Sequence, residues 1–96
     1  MELTDKQKEI LKANETHHGF RIMALKTIEE CAELTDAILK HRAGRDTANH
    51  VCEELADVFI CVSQLAEMLG EYNVTPWIEY KVKRVEERLK MMEDAR

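Results

Sequence analysis

Four carboxylates stand at paired spacings in the chain. Glu30 and Glu33 are three residues apart, and Glu54 and Asp57 repeat the interval further on. On an α-helix, residues three apart project to neighbouring points of one side. Two antiparallel helices would gather both pairs around a common point, where four like charges repel unless a cation sits among them. A ligand set made only of oxygen selects a hard ion, Mg²⁺ first, with Mn²⁺ as the alternative. A simpler account competes, since helix glutamates are mostly solvated and a single Glu-x-x-Glu carries little information. At about 100° per residue, Glu30 and Glu33 fall between Met23, Leu34 and Ala37, while Glu54 and Asp57 share a side with Cys61, Leu65 and Met68. Acids set among apolar neighbours weigh toward a metal site, and both accounts stay open here. A di-iron or di-manganese bundle fits less well, because it wants Glu-x-x-His on two helices and the one candidate is Glu15 with His18.

The elements that must position these acids read as four helices. The first runs from about Thr4 to Asn14 or slightly beyond, with His17, His18 and Gly19 as its exit. The second runs from about Phe20 to His41 and ends at Ala43-Gly44, where glycine suits a helix C-terminus. Its apolar stripe is Leu25, Ile28, Ala32, Thr35 and Leu39. The third starts near Asp46 or Thr47, either a suitable N-cap, and reaches about Leu69. Its stripe is Val51, Leu55, Val58, Phe59, Val62, Leu65 and Leu69. Thr75-Pro76 opens the fourth, since proline suits a first helical turn. That helix carries Trp77, Ile78, Val82, Val85 and Leu89.

Composition agrees with an all-α, four-helix bundle. With 3 Gly and 1 Pro in 96 residues, turn formers are scarce, so long helices and short loops are expected over one domain, residues 1–96. A chain this short builds a small core, which makes oligomerisation a reasonable expectation. The net charge of −5 argues against binding a nucleic-acid polymer or an anionic membrane surface. No run approaches the roughly 20 apolar residues of a membrane span, and the polar start Met1-Glu2-Leu3-Thr4 lacks a signal-peptide pattern, so the expected location is cytoplasmic. Cys31, Cys52 and Cys61 are an odd set without zinc spacing and read as reduced core residues.

The strings Ile28-Glu29-Glu30-Cys31-Ala32-Glu33-Leu34 and Glu53-Glu54-Leu55-Ala56-Asp57-Val58, with twenty residues between Glu33 and Glu54, make a more specific pattern. The chain resembles the MazG-like, all-α nucleoside triphosphate pyrophosphohydrolase superfamily from roughly Phe20 to Arg88. That resemblance implies a MazG-like bundle working as a homodimer or homotetramer, with neighbouring subunits completing the pocket. It implies Mg²⁺ held by Glu30, Glu33, Glu54 and Asp57, with Glu29 supporting a second ion or the attacking water. Glu30 or Glu33 would orient or deprotonate that water. The implied reaction cleaves an NTP or dNTP between the α- and β-phosphates, giving a nucleoside monophosphate and pyrophosphate. Lys81 and Arg88 match the family's phosphate-binding cations, whereas Val85 stands where related enzymes often carry Asn. That departure keeps a second reading in view, a non-catalytic helical nucleotide-binding or interaction module that retains the acidic scaffold. The cations of the last helix are equally well placed to pair with Glu79, Glu86 and Glu87 at helical spacings. Trp77 reads as a packing anchor before a base-stacking group, His17 and His18 as an exposed pair, and His50 as either a support for Glu54 or a surface residue.

Overall fold

The computed structural model describes residues 1–95. Three helices account for nearly all of them: α1 (Asp5–Arg42), α2 (Ala48–Leu69) and α3 (Glu71–Asp94). There is no strand among the described residues. Thr4 starts α1 through a capping box. Its hydroxyl accepts from the Gln7 backbone at 3.1 Å, and the Gln7 side chain accepts from the Thr4 backbone at 2.9 Å. The first two expected helices are one continuous element, broken only at Gly19, where φ is 80° and ψ 167°. The expected exit at Gly19 is thus a change of direction within a helix, because glycine takes this backbone conformation and the helix resumes at the next residue.

The α1–α2 turn closes as a Schellman motif, with Gly44 N–H donating to the His41 carbonyl at 3.0 Å and Arg45 N–H to that of Lys40 at 2.8 Å. Gly44 supplies the required positive φ of 75°. Thr47 then caps α2, its hydroxyl accepting from His50 N–H at 3.1 Å. The short turn lays α2 back along α1, and this pair holds most of the tertiary packing. The last helix begins earlier than expected. The Asn73 amide donates to the Leu69 carbonyl at 2.7 Å, so helix re-forms directly after Gly70. Pro76 therefore lies inside α3, one turn later than a first-turn proline, and removes the N–H that would meet the Tyr72 carbonyl.

The seam between α1 and α2 repeats at steps of four and three. Along α1 it runs Met23, Thr27, Glu30, Leu34, Ala37, and along α2 it includes Glu54, Val58, Cys61, Gln64 and Met68, all buried or half-buried. Its fully buried apolar members are only Met23, Ala37 and Cys61. A side chain such as Met23 contributes about 1.5–3 kcal/mol on burial, and ordering each residue costs about 1–2 kcal/mol, so this core is small for its chain. The expected α1 stripe of Leu25, Ile28 and Leu39 is exposed, as are Cys31 and Cys52, which corrects their reading as core. The α3 helix packs only on α2 and buries no residue. No helix is long and apolar enough to cross a membrane.

Candidate functional site

Glu30 and Glu54 occupy seam positions that a helix pair normally gives to apolar side chains, and they are 6% and 8% exposed. Glu33 follows one turn after Glu30, at the exposed edge of the seam. These three residues, Glu30, Glu33 and Glu54, each offer a carboxylate oxygen within 4.8 Å of the others. Asp57 is half-buried one turn beyond Glu54. It lies beside Glu30, and both line a cavity of about 360 Å³. The structure thus gathers three of the four acids singled out by spacing into one cluster and sets Asp57 next to Glu30, outside it.

One oxygen of Glu30 and one of Glu54, Oε2 in each case, are buried without any hydrogen-bond partner. Buried acceptors are almost always satisfied. Two orphaned carboxylate oxygens beside a third acid fit a hard divalent cation, which prefers oxygen donors.

Three neighbours set the charge balance. Lys26 Nζ lies 2.9 Å from Glu30 Oε1, and this hydrogen bond holds the Glu30 carboxyl below the usual range. The adjacent charge of Glu30 pushes Glu33 upward, and Glu54 adds to it. His50 Nε2 is 3.2 Å from Glu54 Oε1, while its Nδ1 meets Asp46 Oδ2. The Asp46 contact, followed by that with Glu54, raises His50, and His50 in turn lowers Asp46.

Other expected residues lie elsewhere in the single chain. The Glu29 side chain is 67% exposed and sits outside the three-acid cluster, 3.9 Å from Lys26. Lys81 and Arg88 are on α3, which packs on α2, and neither lines the cavity. Among the described residues no ion pair joins the α3 cations to Glu79, Glu86 or Glu87. Trp77 stands exposed with its ring 6.1 Å from that of Tyr80. His17 and His18 lie within α1, both exposed, and His18 also lines the cavity.

Sequence reasoning missed Lys26 and Gln64, and it named Glu15 only as the Glu-x-x-His partner of His18. Lys26 was detectable, since a Lys four residues from a Glu on one helix can pair with it. Gln64 is 2% exposed, lines the cavity and donates to the Leu11 carbonyl at 3.3 Å. Glu15 is 3% exposed with both carboxylate oxygens unpartnered, and burial followed by the charge of Glu67 pushes its carboxyl up.

A family model described as the MazG nucleotide pyrophosphohydrolase domain matches residues 18–91. That span contains all four acids, the cavity residues from His18 onward, and nearly all of α3. No curated protein and no solved structure matches the chain.

Proposed function

Because the chain belongs to the MazG nucleotide pyrophosphohydrolase family, we propose that it hydrolyses an NTP or dNTP to the nucleoside monophosphate and pyrophosphate. In this reading Glu30, Glu33, Glu54 and Asp57 hold Mg²⁺, with Mn²⁺ as a substitute. The observation that carries it is the pair of orphaned oxygens on Glu30 and Glu54, two acids that cluster with Glu33, Glu30 also lining a cavity. When bound, the ion supplies charge neutralisation on the phosphates and acidification of water. The chain's own groups do the rest. Glu30 or Glu33, the second of them at the exposed edge of the cluster, orients or deprotonates the attacking water. Glu29 lies one residue further out, where it orients water or a second ion.

Lys81 and Arg88 do not approach the acids of their own chain. They bind the departing phosphates from a second subunit of a homodimer or homotetramer. The exposed apolar residues of α1 and α3, among them Ile28, Trp77 and Leu89, support such an assembly. The three free cysteines suit a reducing, cytoplasmic setting for this single domain.

The test is a panel of NTPs and dNTPs with Mg²⁺ or Mn²⁺, with products identified by chromatography. Monophosphate and pyrophosphate are expected. Diphosphate with orthophosphate would overturn the cleavage position, and nucleotide binding without turnover would favour the non-catalytic module.

A further inference from the structure

We propose that Asp46 and His50 form a relay that positions Glu54 for the divalent ion, so that metal affinity depends on a histidine outside the ligand set. The proposal rests on the reading of Glu54 as a ligand.

His50 precedes Glu54 by one helical turn, and its Nε2 lies 3.2 Å from Glu54 Oε1. That contact engages one carboxylate oxygen and leaves the other, Oε2, buried and free beside Glu30 and Glu33. The opposite ring nitrogen, Nδ1, contacts Asp46 Oδ2. The ring thus bridges the Asp46 and Glu54 carboxylates, and with Nδ1 set against Asp46 its Nε2 is the nitrogen presented to Glu54.

Asp46 is itself anchored twice. Its Oδ1 accepts from Thr47 N–H at 2.7 Å, and its carbonyl oxygen lies 3.0 Å from His41 Nδ1 at the end of α1. The relay therefore runs from the last turn of α1, through the interhelical turn, to the acid on α2. It ties together the two helices that carry the carboxylates.

Glu30 is held differently. Lys26 contacts its Oε1 at 2.9 Å and lies 3.9 Å from Glu29, whereas Glu54 is held by a ring that a second acid orients. Partners of ligating carboxylates typically change metal affinity or activity by about 10–100-fold when removed.

The full-length chain is titrated with Mn²⁺ in the absence of nucleotide, free ion being measured by electron paramagnetic resonance. The thermal midpoint of the metal-free protein is recorded in parallel. His50→Ala is expected to weaken Mn²⁺ binding by about 10–100-fold with an unchanged midpoint, since the His50 side chain is 41% exposed and fills no core space. His50→Gln, whose amide N–H can stand in for Nε2, is expected to recover most of the affinity. Asp46→Asn should fall between the two. Wild-type affinity in His50→Ala overturns the relay and leaves the ligand assignment intact. A Gln variant as weak as Ala, with both melting early without metal, overturns it in favour of a structural role. Failure of the wild-type chain to bind Mn²⁺ overturns the assignment of Glu54 and the relay together.

Discussion

A buried polar atom without a partner costs about 1–3 kcal/mol, and four carboxylate oxygens are in that position: two on Glu15 and one each on Glu30 and Glu54. The last two face a common cluster, where one cation satisfies both. Glu15 lies apart from it, against the Lys12–Glu67 pair, whose own contact is 2.7 Å. Its carboxyl is raised by burial first and by Glu67 second. A raised acid keeps its proton in the folded chain over a window in which the unfolded chain has lost it. Its contribution to stability therefore falls as pH climbs from the ordinary glutamate range through the folded value, and the full cost persists at neutral pH and above. Glu15→Gln is accordingly expected to stabilise the chain by about 1 kcal/mol at neutral pH and to have little effect near pH 4. Urea denaturation at the two pH values checks this, and equal effects at both would contradict the assignment. The grouping of Glu30, Glu33 and Glu54 was legible from spacing, because two acid pairs at helical intervals restrict each other. Glu15 was not, since a lone glutamate becomes unusual only when packing removes its water.

At the level of elements, Gly19 makes the testable claim. Its φ of 80° and ψ of 167° lie in a region almost confined to glycine, and a Cβ added there would meet no atom within 4 Å. The cost of Gly19→Ala is then one of backbone alone, about 1–3 kcal/mol. A denaturation midpoint equal to wild type would show that the break is not needed. The break directs the first part of α1, with Asn14 and Glu15, onto the far half of α2, where Gln64 reaches the Leu11 carbonyl. Sequence reasoning placed a boundary at Gly19 because glycine punctuates helices, but it could not tell a bend from an end. The apolar stripe it named on this helix is not the one that α2 covers. Leu25, Ile28 and Leu39 have the right period, yet the seam runs through Met23, Thr27, Glu30 and Ala37. Helical periodicity reveals that a stripe exists and not which neighbour covers it. The true seam is disguised by the two polar residues at its centre, one of which belongs to the site. Pro76 misled in a similar way, because its preference for a first turn gave way to an earlier start at Glu71.

For the whole molecule, one chain leaves α3 without a buried residue and Ile28, Trp77 and Leu89 at 67%, 64% and 53% exposure. Burial of these surfaces between copies would supply the apolar area that the α1–α2 seam lacks, and would carry Lys81 and Arg88 to another subunit's acids. Sedimentation equilibrium is expected to give a mass that is a multiple of 11.2 kDa. Leu89→Glu is expected to dissociate the assembly and reduce turnover with it, whereas a fully active monomer would contradict shared pockets. The central claim concerns the acids, and metal-switched turnover tests it most directly. Protein stripped with a chelator is incubated with a nucleoside triphosphate, then resupplied with Mg²⁺, for both wild type and Glu54→Gln. The account predicts no product without the ion, monophosphate and pyrophosphate once it is restored, and a loss of about 10²-fold or more in the variant. Undiminished turnover by chelated wild-type protein, or by Glu54→Gln, would contradict it.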